Sequence, residues 1–478
     1  MYGFLLPYIG ETMNPYEKNI HDVYQEKEFA SGGGMYTDPW NIDWQDAPFA
    51  ARDESLMSPL KMRGCLKDMW DNGTPTEKSA VYIHVPFCRL SCTYCAFFKK
   101  KANDKEQHAY AQLLCKEILS LRGRPYVEKS HVQAVFWGGG TPGILSAEDI
   151  CRVMKALKDT FPMAEDAEIT MESSLSDMTD EKMDAAMAGG VNRFSFGVQS
   201  FQTGIRNAIG RPLPREEAME KFSHFAKREA LMILDLIYGL PGETEETMRQ
   251  DIRDAQSVGA AGLDLYKLQL LPKSPLGKAF EKAGRKLDAS RLQSLFCAAE
   301  SELMHTSAEN ISCTHWKWNP KERSLYNALA SDGSDIIPIG MACGGKIGHL
   351  GIMKPMADMM YQGAVKMGKF VPMGAKARSQ YRQVYAAIEA EADRGCLHPL
   401  GLEKQLDLPM AALLVPLLET WQAWGLVEKH GELYRYTAAG RYWYRTMMRK
   451  MLNAADYMLF GKREGTNRNH WGNMVNMK

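Results

Sequence analysis

From about residue 80 to 272 the chain alternates between two hydrophobic rhythms. Short runs rich in β-branched and aromatic residues lie at 81–85, 132–137, 168–172, 193–199, 231–238 and 263–271. Between them, at 104–121, 147–160, 180–188, 215–227 and 245–257, apolar residues recur three and four apart. The first pattern predicts strands and the second amphipathic helices, so this region is α/β, built of βαβ units around a parallel sheet. Periodicity leaves both a partial (β/α)6 barrel and an open doubly wound sheet standing. In either, a site belongs at the C-terminal ends of the strands.

The flanks read differently. Residues 1–78 lack sustained periodicity and are rich in Gly, Pro, Trp and Asp, as in Gly32-Gly33-Gly34, Pro39-Trp40 and Trp44, which predicts a loop-rich N-terminal arm packed on the rest. After about 374, helices are expected at 379–393 and 409–424. A two-stranded wing follows at 426–437, turning at His430-Gly431, and then a helix at 438–453. This is a winged-helix-like pattern. The expected organisation is an arm at 1–78, the α/β region with its extension at 79–350, and a C-terminal winged-helix-like helical domain at 351–478, with a polar tail after Gly461.

Composition narrows the function classes. Lys+Arg and Asp+Glu both number 58, so the formal net charge is zero, which argues against a nucleic-acid binder. The basic residues Arg441, Arg445, Arg449 and Lys450 on the last helix then read as a solvated face. No apolar run approaches the ~18–20 residues of a membrane span. Met1 to Glu11 has no basic region and no small-residue cleavage site, so we expect no signal peptide and a cytoplasmic protein. In a reducing compartment the 10 cysteines are more suited to metal or redox chemistry than to disulfides.

Three of those cysteines carry the chemistry. Cys88-Arg-Leu-Ser-Cys92-Thr-Tyr-Cys95 follows directly on the first strand. Three thiolates on one loop can bind three irons of a [4Fe–4S] cube and leave the fourth iron open. Structural zinc needs four closed ligands, commonly in two separated pairs, and no fourth partner is nearby. Ala96, Phe97 and Phe98 make an apolar surround that shields a cluster. The glycines of Trp137-Gly138-Gly139-Gly140-Thr141-Pro142 end a strand, freeing backbone N–H groups and allowing close approach to a ligand. A phosphate loop is disfavoured, because no Gly-Lys-Ser/Thr follows. Glu172, Gln199 and Asp235 lie on or at the ends of successive strands, where carboxylates and amides can take hydroxyl groups and offset a positive charge; each alone also reads as a solvent-facing strand end. Arg211 reads as a carboxylate clamp or as a helix-surface residue.

The cysteine triplet resembles that of the radical S-adenosylmethionine (SAM) superfamily. Within it, Tyr82-Ile-His84-Val-Pro86-Phe87, the Gly138–Gly140 segment, Glu172, Gly197-Val-Gln199-Ser-Phe201, Arg211 and Asp235-Leu-Ile-Tyr-Gly-Leu-Pro241 resemble the oxygen-independent coproporphyrinogen III oxidase-like branch. The likeness covers roughly 80–350 and implies a partial (β/α)6 radical SAM barrel. It implies that Cys88, Cys92 and Cys95 hold a [4Fe–4S] cluster and that Tyr82 and Glu172 belong to the SAM on it. Tyr94, Gly139, Gly140, Thr141, Gln199, Arg211 and Asp235 would surround a second SAM, with Gln269 and Gly344 corresponding less securely.

Three members of the branch compete. Against the oxidase itself, Phe97 stands where its motif continues with a fourth Cys. Against the heme chaperone, its His-Asn-x-x-Tyr-Trp signature is replaced by Ser312-Cys313-Thr-His315-Trp316-Lys-Trp318-Asn319. Ile339-Gly340-Met-Ala-Cys343-Gly344-Gly345-Lys346-Ile-Gly348-His349 and Glu172-Ser-Ser-Leu resemble the anaerobic heme-degrading radical SAM methyltransferases of the anaerobilin synthase type. That resemblance implies heme as substrate and a flavodoxin-type or NADPH-linked electron donor. It implies that a methylene radical from the second SAM adds to a meso carbon of heme, giving a methylated linear tetrapyrrole and free iron. Cys313, His315, Cys343, His349, Cys396 and His398 are candidate heme contacts, although an ordinary buried role competes for each. Cys115 and Cys151 read as helix core. The methionines from Met353 to Met373 read either as the lining of an apolar porphyrin site or as core.

Overall fold

The computed structural model describes residues 15–26, 29, 38–40, 42, 49–95, 100–370 and 372–462. They fall into two compact units, Asp53–Arg382 and a second made of Met1–Arg52 with Gln383–Lys478.

The first unit is built on one 13-stranded sheet. Its strands are β1 (Ser55–Leu56), β2 (Ser79–Val85), β3 (Val132–Gly139), β4 (Met163–Ser173), β5 (Arg193–Gln199), β6 (Leu231–Tyr238) and β7 (Gly262–Lys267). They continue with β8 (Glu309–Ser312), β9 (His315–Lys317), β10 (Asp335–Ile339), β11 (Gly344–Ile347), β12 (Leu350–Met353) and β13 (Gly374–Ala377). The order is β1-β13-β12-β11-β10-β2-β3-β4-β5-β6-β7-β9-β8. Strands β2 to β7 run parallel in sequence order, as the hydrophobic pattern predicts. A doubly wound sheet needs a point where the strand order reverses, and this run has none, so the partial-barrel alternative holds. A seventh parallel strand, β10, joins the far side of β2, and the antiparallel β11–β13 extend that edge.

The parallel strands are mostly buried, β2 at every residue but Tyr82, because helices and crossovers cover them. Helix Asp104–Leu119 packs on Ala147–Lys158, which packs on Asp180–Ala188. Each starts at a side-chain cap. Asn103 and Glu106 form a reciprocal capping box, Ser146 accepts from Asp149 N, and Thr179 accepts from Lys182 N. The strand expected at 263–271 stops at Lys267, where the chain turns through Leu271 N to Gln269 O.

The second unit holds helices Pro15–Val23, Pro399–Leu406, Met410–Ala423 and Ala438–Phe460 and nearly all of Arg382–Arg394. Its three-stranded sheet runs β14 (Cys396–Leu397), β16 (Leu433–Tyr436), β15 (Val427–His430). The winged-helix-like pattern is present. His430 pairs with Leu433, so the turn residues are Gly431-Glu432, not His430-Gly431.

The unit boundaries at 52/53 and 382/383 differ from the expected 78/79 and 350/351. Ser55 and Leu56 pair with Ala377 and Lys376, which ties the chain around 55 and 377 to the large sheet. Arg52 N instead reaches Asp456 Oδ1 at 3.0 Å, and Trp443 Nε1 reaches Pro39 O at 3.1 Å, which tie the start of the chain to the last helix. The arm is also not purely loop, since Pro15–Val23 and Pro59–Asn72 are helical. Gly32–Gly34, Trp44 and the tail from 463 lie outside the described residues.

Candidate active site at the sheet mouth

The cysteine loop leaves the C-terminal end of β2 and returns at Lys100. Cys88 N donates to Lys100 O at 3.3 Å and Lys100 N to Pro86 O at 2.6 Å, which close its base. Across the mouth Thr93 N donates to Ile209 O at 3.1 Å and Leu276 N to Thr93 O at 2.8 Å. The thiols of Cys88, Cys92 and Cys95 are half-buried on this loop. The Thr141 hydroxyl donates to Cys88 Sγ at 3.6 Å. Ala96, Phe97 and Phe98 lie outside the described residues. Among the described residues no three His, Cys, Asp or Glu side chains close on one point, so the thiols share a loop without converging and no further ligand joins them. A donor set of three thiols and no fourth fits a cluster with one open iron better than closed zinc.

Part of the glycine run's backbone is already hydrogen-bonded within the fold. Gly140 N and Thr141 N are already donated to Val85 O and Phe87 O, each at 2.7 Å, so they are not free for a ligand. The glycines are there for contact between strands. Gly139 has φ +108°, and a Cβ on it would overlap the His84 ring. A Cβ on Gly138 would stand 2.8 Å from Glu172 Oε2.

The carboxyls converge across the strand ends. Glu172 is the register partner of Ser195, whose hydroxyl donates to Asp235 Oδ1 at 3.1 Å. Asp235 is in turn the register partner of Asp264. Burial, then the neighbouring Asp235, push the Glu172 carboxyl up to about 8; a backbone N–H from Gly139 opposes this. Burial and Asp264 push Asp235 up to about 7. Gln199, a non-glycine residue at φ +70°, has a buried Oε1 without a hydrogen-bond partner, and so does Arg211 Nε. Arg211 Nη2 donates to the Tyr94 hydroxyl at 3.4 Å, which places it in the mouth and not on a helix surface. Tyr82 lies beside the stacked Phe136 and Tyr326 rings, with its hydroxyl 3.2 Å from His84 Nδ1. Tyr94, Gly139, Gly140, Thr141, Glu172 and Gln199 belong to the C-terminal ends of β2–β5 or the loops that follow them, Tyr82 and Asp235 to the middle of β2 and β6, and Arg211 to the crossover between β5 and β6. Gln269 is exposed beyond β7, and Gly344 opens β11.

Sequence reading missed Asp264, His84 and Tyr326. Asp264 left a signal, a lone charge inside the apolar run Gly262-Leu-Asp264-Leu-Tyr266. His84 has Nε2 buried without a partner, and burial lowers its pKa to about 4, so the imidazole is neutral.

The candidate heme contacts are divided between the two units. His315 lies 2.9 Å from Asp264 and 3.2 Å from Glu322, so each ring nitrogen faces a carboxylate. Burial opposes its charge, but those carboxylates prevail and push it up to about 9. The Cys343 thiol donates to Gly340 O at 3.3 Å, and burial pushes its pKa up, so it is a neutral donor and not a thiolate ligand. His349 lines a pocket of about 250 Å³ with Asp68, Asn72 and Arg382. Cys313 is buried. Cys396 and His398 belong to the second unit, where His398 Nε2 lies 3.2 Å from Glu432. Cys151 is exposed and not core, because its helix buries Ile150, Val153, Met154 and Leu157 instead; Cys115 is half-buried.

Among the described residues, no helix is long and apolar enough to cross a membrane. The radical SAM superfamily profile matches residues 82–255. The chain is 31% identical over 423 residues to anaerobilin synthase from Escherichia coli O157:H7, covering 85% of this chain and 92% of that protein. It is 31% identical over 195 residues to heme chaperone HemW from Lactococcus lactis, covering 41% of this chain and 50% of the relative. It is 32% identical over 197 residues to oxygen-independent coproporphyrinogen III oxidase from Paracoccus denitrificans, covering 40% and 43%. The solved coproporphyrinogen III oxidase from Escherichia coli shares the fold, with a TM-score of 0.68 and 22% identity over 81% of this chain and 93% of that one. The chain belongs to the radical SAM superfamily, in the branch of the coproporphyrinogen oxidases, heme chaperones and anaerobilin synthase, a membership that implies a [4Fe–4S] cluster and SAM.

Proposed function

We propose that this chain is a radical SAM C-methyltransferase of the anaerobilin synthase type, which opens heme without oxygen to a methylated linear tetrapyrrole and releases iron. The observation that carries this reading is the extent of the likeness. Sequence similarity to anaerobilin synthase runs through 85% of the chain and 92% of the relative, whereas the sequence matches to the chaperone from Lactococcus lactis and the oxidase from Paracoccus denitrificans cover about two fifths of the chain.

In this reading Cys88, Cys92 and Cys95 hold the cluster, and Tyr82 and Glu172 belong to the SAM beside it. Tyr94, Gly139, Gly140, Thr141, Gln199, Arg211 and Asp235 take a second SAM. The cluster and SAM together supply one-electron cleavage of a sulfonium, yielding a 5′-deoxyadenosyl radical. The protein's share is electrostatic. Glu172 and Asp235, pushed up to about 8 and 7, become carboxylates when a sulfonium cation arrives. Gln199 Oε1 and Arg211 Nε supply an acceptor and a donor that the fold leaves unused. Electrons come from a flavodoxin-type or NADPH-linked donor, and the setting is cytoplasmic.

The test is an anaerobic incubation with SAM and reductant, comparing heme with coproporphyrinogen III. Loss of heme absorbance, a tetrapyrrole product heavier by one carbon and released iron are expected. Carbon dioxide from coproporphyrinogen would establish the oxidase instead, and tight heme binding with neither change would establish the chaperone.

A further inference from the structure

The methionines between 353 and 373 leave two readings in the sequence, core or ligand surface, and the structure separates them. Met359 is 87% exposed, Met360 57%, Met367 64% and Met356 50%. They gather around one short helix, Asp358–Lys366, which buries its other face, Tyr361, Ala364 and Val365, against helix Asp104–Leu119. A soluble helix normally turns charges outward, and a contiguous exposed apolar patch marks a binding surface.

Three further features say what covers it. Gly363 lies on the same face between Met360 and Met367, and a Cβ there would meet nothing within 4 Å, so the backbone is open to a ligand at this point. A glycine inside a helix is destabilising, which a close contact on this face would explain. Lys366 and Lys369 stand exposed at the end of this face and form no ion pair among the described residues. The acid at its start is occupied, because Asp358 Oδ2 lies 2.7 Å from Lys100 Nζ. Lys100 is also the residue that closes the base of the cysteine loop.

We propose that this face seats the tetrapyrrole. The flat macrocycle lies on Met359, Met360, Gly363 and Met367, and its two carboxylates pair with Lys366 and Lys369. Methionine suits such a ring, being polarisable and adaptable. The assignment rests on the reading that heme is the substrate. It adds the place and the orientation, with the ring beside the base of the cysteine loop.

Heme titrated into the anaerobic, cluster-loaded protein tests it, followed by the Soret band and repeated with heme dimethyl ester, whose carboxylates are blocked. Met359→Glu/Met360→Glu is expected to weaken both ligands at least tenfold. Lys366→Glu/Lys369→Glu is expected to weaken heme tenfold and leave the ester unchanged. All four side chains are exposed, so folding is unaffected, and unchanged helicity by circular dichroism checks this. Wild-type affinity for heme in both variants would overturn the site while leaving heme as the substrate. Failure of the wild type to bind heme would overturn the functional reading as well. Sedimentation of the wild type, but not of Met359→Glu/Met360→Glu, with acidic phospholipid vesicles at unchanged heme affinity would overturn the site in favour of a lipid surface.

Discussion

Asp264 lies 2.9 Å from the imidazole of His315, while its register partner Asp235 on the neighbouring parallel strand takes the hydroxyl of Ser195 at 3.1 Å. Two acids side by side in a sheet thus have different partners. The one with a cationic partner lies on the outer strand, and the one without faces the mouth. Asp235 and Glu172 form a pair of acids with raised pKa values awaiting a cation.

SAM binding is therefore expected to release protons. A carboxyl at about 8 must ionise to pair with a sulfonium, so affinity falls as pH drops below 8. From pH 8.5 to 6.5 the loss is on the order of tenfold. Calorimetry in two buffers of different ionisation enthalpy measures the released protons directly. Glu172→Gln should abolish most of the pH dependence.

The same acids oppose folding at alkaline pH. Their folded pKa values lie above the unfolded ones, so between about 4.5 and 8 the native state holds more protons than the unfolded chain. His315, at about 9, has the same sign from 6.5 upward. The melting temperature is expected to decline from pH 6.5 to 8.5. In Glu172→Gln the decline is shallower, and at pH 8.5 the variant is at least as stable as the wild type.

Gly139→Ala should destabilise the fold by about 1–3 kcal/mol in chemical denaturation, from its positive φ and the overlap with His84. Adding His84→Ala relieves the overlap but not the backbone strain, so recovery is partial. Gly140→Ala meets the Phe87 carbonyl, which no side-chain change can remove.

Arg193 chelates Glu322, with Nε to Oε2 at 3.0 Å and Nη2 to Oε1 at 2.9 Å, and both side chains are buried. Arg193→Met leaves a buried carboxylate beside His315 and should cost about 3–5 kcal/mol. Arg193→Met with Glu322→Gln should recover much of that in the same urea titration.

Cys88→Ala, Cys92→Ala and Cys95→Ala should each lose iron, sulfide and 5′-deoxyadenosine formation. Cys151→Ala, on an exposed helix face, should retain all three. Iron and sulfide assays on anaerobically purified protein decide between these outcomes.

The sequence by itself determined whatever is local. Alternation of period two and 3.6 marked β2–β7 and their helices, and the Cys88–Cys95 spacing named its chemistry, because both signals lie within a few residues of each other. It missed β10, since Asp335-Ile-Ile-Pro-Ile339 carries a fully buried acid that Thr76 N, Gly348 N and the Tyr126 hydroxyl, brought in from elsewhere, make tolerable. Tertiary structure alone decided what depends on packing between distant segments. It paired Asp264 with His315, turned the glycines of 138–140 toward neighbouring strands and left Met359 and Met360 on the surface. A hydrophobic period says which residues share a face, but only the neighbouring element says which face is covered.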